Sequence, residues 1–130
     1  MVGTVIAFRG PSTPPEQIAG LRLDESAIIA RVAEELRVQA HQVAAVLALT
    51  KDGGTVPFIS RYRKEATGGL DEVQVRASLD RFASFCNLET RRLEIIRAIH
   101  GQGKLDSALF AHLLRCTSMV QLEDIYAPFR

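Results

Sequence analysis

The sequence has no tryptophan, only two cysteines, and no apolar run that approaches the ~18 residues of a membrane span. Its first residues also lack the layout of a secretory signal peptide. We therefore expect a cytoplasmic protein with no membrane partner, in which Cys86 and Cys116 are buried thiols rather than a disulfide. Aromatic residues make up only 6% of the chain, which argues against an aromatic platform for stacking nucleic-acid bases.

The sequence also lacks an excess of positive or negative charge. The 130 residues carry 16 Lys and Arg against 15 Asp and Glu, a net charge of +1. This balance excludes a histone-like polycation and supplies no general attraction toward nucleic acid or an anionic membrane. Any phosphate contact must therefore come from a local cluster. Most of the basic residues are arginines, whose forked guanidinium group favours bidentate contacts with anions.

The chain divides near residue 24 into a leader and a helical region. Three of the five prolines fall in residues 1–23, which we expect to be a flexible leader with at most one small docked segment. From there on, apolar residues such as Ile28 and Val32 recur with the period of a helix. The sequence predicts an all-α fold for residues 24–130, a multi-helix bundle of orthogonal or antiparallel helices that includes one long helix.

Capping residues predict where these helices begin and end. The longest helix should begin with a capping box at Asp71 and Gln74 and run to His100, because Gly101 and Gly103 follow. The other boundaries are predicted by Asp24 or Ser26, Gly53-Gly54, Pro57, Gly68-Gly69, Asp106, Ser118 and Pro128.

An apolar seam runs along the longest helix. Because the remaining helices are short, we expect this seam to be exposed and to mark a surface for later domains of the same protein or for a second copy. Its residues are Val75, Leu79, Phe82, Leu93 and Ile96.

One segment carries a family resemblance. The run from Thr55 to Glu72, TVPFISRYRKEATGGLDE, closely resembles the N-terminal region of the Tex family of bacterial transcription accessory proteins. The similarity extends over roughly residues 28–130. Departures occur at Thr50-Lys51, where the family is usually apolar then acidic, and at Ala127 and Phe129, where Leu and Tyr are common.

Tex proteins continue well beyond this region. They carry a ribonuclease-H-like domain, helix-hairpin-helix elements and a C-terminal OB-fold domain, which is regarded as the main nucleic-acid binder. The resemblance thus implies that residues 24–130 are a Tex-like N-terminal helical domain, a fragment of a longer multidomain protein.

The first two predicted helices, over residues 29–49, are similar to a helix-turn-helix pair. The turn position that often holds glycine holds Arg37, and the second helix has no Lys or Arg before Lys51. Because phosphate neutralisation supplies most of the affinity for DNA, we interpret this helix-turn-helix-like pair as a scaffold rather than as a sequence-specific reader.

Two basic clusters provide the candidate nucleic-acid-binding residues. They are Arg61, Arg63 and Lys64 in the first cluster, and Arg91 and Arg92 in the second. The first flanks an apolar helical stripe of Phe58, Ile59 and Tyr62, with Lys64 pointing to solvent. Two interpretations stay open: the arginines contact phosphate, or they brace the fold by pairing with acids, as Arg61 could with Glu65 four residues later.

The sequence offers no catalytic or metal-binding pattern. The three histidines are scattered, and neither cysteine has the spacing of a metal ligand. The Gly101-x-Gly103-Lys104 pattern follows a helix and lacks the upstream glycine and the hydroxyl residue of a phosphate-binding loop. We therefore expect that the chain is not an enzyme and that it binds no metal and no cofactor.

Together with the resemblance, these residues predict a helical module of a Tex-like, RNA-binding transcription accessory protein. It would act as a scaffold with an auxiliary phosphate-contacting surface, and its binding of RNA or DNA should be weak and non-specific. The alternative is a protein–protein interaction module that contacts transcription or translation machinery, such as RNA polymerase or the ribosome, with no nucleic-acid binding of its own.

Overall fold

A computed structural model of the chain describes residues 18–130. Within this range the regular structure is entirely helical, and one helix is much longer than the others, which confirms the all-α prediction. The α-helices are α1 (Glu25–Leu36), α2 (Ala40–Lys51), α3 (Val56–Tyr62), α4 (Lys64–Thr67), α5 (Glu72–Gly101), α6 (Ser107–Arg115) and α7 (Met119–Tyr126). Two 3₁₀ helices, Ile18–Gly20 and Ala127–Phe129, flank them.

The caps confirm most of the predicted helix boundaries. At the start of α5, the Asp71 carboxylate accepts from the Gln74 amide (2.8 Å) and the Gln74 side chain accepts from the Asp71 amide (3.0 Å). Asp106 caps α6 and Ser118 caps α7, each side chain accepting one first-turn amide. These side chains accept first-turn N–H groups that have no partner within the helix.

Residues 25–85 form one compact unit, called here the middle unit. It holds α1 to α4 and the first part of α5, and α1 packs against α2 through buried residues that include Ile28, Val32 and Val43. A further cluster gathers residues from α2, α3, the following loop and α5: Val46, Ile59, Leu70 and Val75. These contacts hold α3 and α4, which carry the first basic cluster.

Residues 18–24 and 86–130 form the second compact unit, called here the terminal unit. Its core lies between the second part of α5, α6 and α7, with Ile96, Phe110 and Leu122 almost fully buried. The second basic cluster lies here.

The predicted leader, residues 1–23, falls mostly outside the described residues, and for residues 1–17 it stays a prediction. Residues 18–23, in contrast, are part of the folded structure. Ile18 and Leu21 are buried in the core of the terminal unit, and the Arg97 guanidinium donates to the Leu21 carbonyl at 2.7 Å. Their spacing of three residues places both side chains on one side of a 3₁₀ turn, where they cover apolar surface.

The prediction of an exposed seam along the longest helix is wrong. Val75, Leu93 and Ile96 are buried, and Leu79 and Phe82 are partly buried. Each end of α5 finds its apolar partners inside its own unit, so the short helices cover the seam after all. Within residues 18–130, no helix combines the length and the apolar character needed to cross a membrane.

Candidate nucleic-acid interface

The first basic cluster lies on two short helices that meet at Arg63. Thr55 caps α3 by accepting from the Phe58 amide at 3.3 Å, and Pro57 lies in the first turn, where its missing N–H costs nothing. At Arg63 the backbone leaves the helical region (φ −123°, ψ 37°), and α4 begins at the next residue. The segment between the predicted boundaries at Pro57 and Gly68-Gly69 therefore holds two helices, and the break changes the directions of the side chains after Tyr62.

Gln42 of α2 holds the end of α4 in place. Its side-chain amide donates to the Thr67 carbonyl at 2.9 Å, and the Thr67 hydroxyl accepts from the Leu70 amide at 3.2 Å. Gly68 ends α4 with a left-handed backbone (φ 69°), a conformation that favours glycine. A Cβ atom there would lie 2.7 Å from the Gln42 side-chain amide nitrogen, so the Gln42 side chain would have to shift.

The three basic side chains of this cluster have different surroundings. Arg63 pairs with Glu65, with 2.7 Å between Nε and Oε2, and this hydrogen bond lowers the pKa of the Glu65 carboxyl. The exposed Lys64 ammonium donates to the Leu70 carbonyl over 3.4 Å, the limit of a hydrogen bond. Arg61 is exposed and has no ion pair or hydrogen bond with the described residues.

These contacts correct the predicted pairing of Arg61 with Glu65. Because the helix breaks at Arg63, the two residues are not neighbours on one continuous helix, and Glu65 pairs with Arg63 instead. The brace interpretation thus describes Arg63, whereas Arg61 has no acidic partner among the described residues.

Only one residue of the predicted apolar stripe is buried in the core. Ile59 is fully buried, but Phe58 and Tyr62 are 48% and 62% exposed. Their ring centroids lie 5.4 Å apart with planes tilted by 46°. No feature of the sequence distinguishes these two rings from core residues, because their helical spacing is that of a buried face.

The second cluster lies in the terminal unit, and its first residue is part of a surface ion-pair network. Arg91 pairs with Glu123 and, at 3.1 Å, with Glu94, while Arg130 also pairs with Glu123. Both guanidinium groups lie over the Tyr126 ring, within 5.4 and 5.6 Å of its centre. The hydrogen bond from Arg91 lowers the pKa of the Glu123 carboxyl, and the same bond raises the pKa of Arg91.

Arg92 cannot contact phosphate in this fold, and its assignment to the candidate interface is wrong. Its side chain is 1% exposed and forms a two-bond pair with the fully buried Glu89, at 2.7 and 2.9 Å. The same guanidinium donates to the Leu113 carbonyl of α6. Arg92 therefore joins α5 to α6 inside the core. The sequence does not reveal this role, because Arg91 beside it is the same residue type.

The helix-turn-helix-like pair is α1 and α2, joined by residues 37–39. Arg37 takes the left-handed conformation (φ 60°), and the Val38 amide donates to the Ala33 carbonyl at 3.0 Å, as in a Schellman motif. Arginine thus occupies the position where glycine is favoured. In α2 the basic residue is Lys51, which lies in the last turn.

The part of the chain that the structure describes contains no group of three or more His, Cys, Asp or Glu side chains placed to hold a metal ion. The features that remain on the candidate interface are Arg61, Lys64 and the exposed rings of Phe58 and Tyr62. All four lie in the middle unit.

Comparison with known proteins places the whole α3–α4 segment within a family match. The family model described as Tex-like protein N-terminal domain matches residues 26–100. The chain is 42% identical over 120 residues to Protein tex of Bordetella pertussis, covering 92% of this chain and 15% of that protein. It is 41% identical over 99 residues to the transcriptional accessory protein Tex of Neisseria gonorrhoeae, covering 76% of this chain and 13% of that protein.

A more distant relative is the human S1 RNA-binding domain-containing protein 1, 27% identical over 99 residues, which cover 76% of this chain and 10% of that protein. The chain therefore spans a small part of the length of each of these relatives, 10–15%.

Proposed function

Because the chain belongs to the Tex-like protein N-terminal domain family, we propose that it is a helical scaffold module of a nucleic-acid-binding transcription accessory protein. In this proposal the α3–α4 segment adds a weak, non-specific contact with the phosphates of RNA or DNA. The module has no catalytic role and needs no cofactor. The name of the human relative, which refers to an RNA-binding S1 domain, supports RNA as a ligand of the longer proteins.

The observation that carries the proposal is the uncompensated charge of Arg61. Carboxylates neutralise Arg63, Arg91 and Arg92, whereas Arg61 is exposed and has no acidic partner among the described residues. The exposed Lys64 follows three residues later. A cation that the fold leaves unpaired can replace the counterions of a phosphate, and the release of those counterions supplies the affinity.

The test is the salt dependence of binding to a short single strand. Two phosphate contacts predict that log K falls with log salt with a slope of about −1.4, with a Kd in the range of roughly 10⁻⁴ to 10⁻⁶ M. Arg61→Ala and Lys64→Ala should each flatten the slope by about 0.7 without lowering the melting temperature. Lys104→Ala is the matched control, because this exposed lysine of the terminal unit also has no ion pair among residues 18–130.

Other outcomes contradict the proposal. If Arg61→Ala and Lys64→Ala change neither the affinity nor the slope, the cluster does not contact phosphate. If Arg61→Ala instead lowers the melting temperature with no effect on binding, the residue is a structural brace.

A second candidate function is a protein–protein interaction module that contacts RNA polymerase or the ribosome. It is favoured by two exposed apolar side chains side by side at the start of α7, Met119 and Val120. In that case the chain should bind purified polymerase or ribosomal subunits after nuclease treatment, and Val120→Glu should abolish binding. Binding that disappears with nuclease would instead favour the nucleic-acid function.

A further inference from the structure

Phe58 and Tyr62 form an exposed aromatic pair on α3. They lie four residues apart, so their side chains meet on one face of the helix, with ring centroids 5.4 Å apart. Ile59 between them is fully buried, whereas about half of each ring is in solvent. The core of the middle unit therefore uses Ile59 and leaves the two rings uncovered, although exposed apolar surface is unfavourable in water.

The Phe58 ring also borders an open depression. This depression has a volume of about 330 Å³ and is lined by residues 52–55 together with Phe58. The turn that forms its wall contains Gly53 and Gly54, which carry no side chain. A flat group can therefore approach the ring from this side without meeting a bulky neighbour.

Two exposed cations, Arg61 and Lys64, lie close to the aromatic pair in the chain. Arg61 follows Phe58 by three residues, so the two side chains are neighbours on the helix surface, and Lys64 begins the next helix. Of the nearby acids, Glu65 pairs with Arg63, and Asp52 lines the depression beside Phe58, where it would repel a phosphate. A polyanion that contacts the rings would thus pass along the side of Arg61 and Lys64.

We propose that the aromatic pair stacks on unpaired bases of single-stranded nucleic acid while Arg61 and Lys64 contact its phosphates. This inference rests on the proposed function and specifies its ligand, a single strand rather than a duplex. In a duplex the faces of the bases are already stacked on each other, so the exposed rings have no free base face to stack on. The low aromatic content of the whole chain argued against a base-stacking platform, but these two rings are exposed together. Aromatic rings beside positive charge are the usual means of binding single strands without sequence preference.

The size of the effect follows from the geometry. Stacking on an aromatic side chain strengthens binding by about tenfold per base. Because the two ring planes are tilted by 46°, they are not parallel and one base stacks on one ring at a time. We therefore expect the bases to contribute about tenfold to the affinity.

The experiment compares two strands of equal charge. A thymidylate strand of about 12 nucleotides, within the usual site size of single-strand binders, is titrated alongside an abasic strand of the same length. The chain has no tryptophan and two tyrosines, so Tyr126→Phe makes Tyr62 the sole tyrosine and its fluorescence a direct report of stacking. We expect the thymidylate strand to bind about tenfold more tightly and to quench Tyr62, and the abasic strand to do neither.

Variants at the rings test the same point independently. Phe58→Ala and Tyr62→Leu should each reduce the preference for the thymidylate strand, and the two together should remove it, with the salt slope unchanged throughout. Tyr62→Phe should retain the preference. Tyr62→Leu keeps an apolar side chain at an exposed position, so it remains a valid test should Phe58→Ala fail to fold.

The outcomes separate this inference from the proposed function. Equal, salt-dependent binding of both strands would overturn the stacking inference and leave the phosphate contact standing. Absence of salt-dependent binding to either strand would overturn both. Quenching of Tyr62 by a proline-rich peptide but by neither strand would show that the rings serve a protein ligand, and the inference would be wrong.

Discussion

Single residues show how burial and the nearest carboxylate decide what an arginine does. Arg92 is enclosed with Glu89 and acts as part of the core, whereas Arg91 is 29% exposed and belongs to a surface network with Glu123. Arg61 has neither burial nor an acidic partner among the described residues, and the proposed function assigns its charge to phosphate. The same side chain thus has three different environments within 32 residues.

Arg37 is a residue at which the backbone conformation predicts a stabilising change. A left-handed conformation costs an L-residue roughly 1–2 kcal/mol, part of which glycine regains because it has no Cβ. Arg37→Gly should therefore raise the free energy of unfolding by about 0.5–1 kcal/mol in urea denaturation. Arg37→Ala is the control, since it removes the guanidinium but keeps the strain. Equal stability of the glycine and alanine variants would contradict this explanation.

Gly68 is expected to be less tolerant of alanine than Gly103, although the φ angles of the two are nearly the same, 69° and 74°. At Gly103 a Cβ atom would meet nothing within 4 Å, so Gly103→Ala reports backbone strain alone, roughly 1–2 kcal/mol. Gly68→Ala also displaces Gln42 and its hydrogen bond, for about 1 kcal/mol more. Thermal denaturation measures both.

A double variant checks the cause of that difference. In a Gln42→Ala background the new Cβ at residue 68 no longer meets the side-chain amide. The additional cost of Gly68→Ala should then disappear, and the two substitutions should be non-additive. Strict additivity would show that Gln42 is not the obstacle.

At the scale of elements, side-chain pairs join helices that differ widely in length. In the terminal unit, the buried pair of Glu89 and Arg92 connects α5 to α6, and the exposed network around Glu123 connects α5 to α7. In the middle unit, Gln42 connects α2 to the end of α4. Short helices such as α3 and α4 depend on such contacts, because isolated helices of this length are unstable in water.

Breaking the buried pair should be costly. Arg92→Ala removes the guanidinium that compensates the buried Glu89 carboxylate, and we expect a loss of about 3–5 kcal/mol in urea denaturation. Replacing both residues, as in Glu89→Leu with Arg92→Met, should recover most of this loss, because the Leu113 carbonyl keeps its bond from the Cys116 amide. A double variant no more stable than the single one would mean that the pair itself is required.

The contact between α5 and α7 should depend on pH. The folded-state pKa of Glu123 is lowered chiefly by Arg91, so its contribution to stability is complete above the ordinary value of about 4.3 and is lost as pH falls through the lower folded-state value. The melting temperature of Glu123→Gln should therefore lie below that of the wild type at neutral pH, and the gap should close in acid. Asp124→Asn is the control, because this exposed carboxylate has no ion pair within residues 18–130. A gap that stays constant in acid would contradict the prediction.

At the scale of the whole molecule, the balanced charge limits the attraction for phosphate, and the lack of disulfides limits what can stabilise the fold. A net charge of +1 gives little long-range attraction for phosphate, so the proposed binding would depend on the few exposed cations of the candidate interface. Neither cysteine is in a disulfide, so non-covalent packing within the two units holds the described fold.

The thiols themselves provide a prediction at this scale. A reducing agent should leave the melting temperature unchanged, because no disulfide joins any part of the chain. Burial raises the pKa of the Cys116 thiol, which lowers its thiolate fraction, so alkylation should be slower at Cys116 than at the half-buried Cys86. Mass spectrometry of peptides after timed alkylation measures both rates, and faster labelling of Cys116 would contradict the assignment.

The sequence by itself determined the helical class, most helix boundaries and the family. These follow from local patterns: the capping box at Asp71 and Gln74 satisfies backbone groups within one turn, and the TVPFISRYRKE motif needs no tertiary context to be recognised. Local rules suffice wherever the interacting groups are a few residues apart.

The tertiary structure alone decided which side chains of these patterns face solvent. Helical spacing places Phe58, Ile59 and Tyr62 on one face, but only Ile59 meets the core, because few helices surround α3. Arg91 and Arg92 are identical in sequence terms, yet the rotation of about 100° between consecutive helical residues directs one toward Glu123 and the other into the core against α6. Burial depends on residues that are distant in the chain, so no local pattern could supply it.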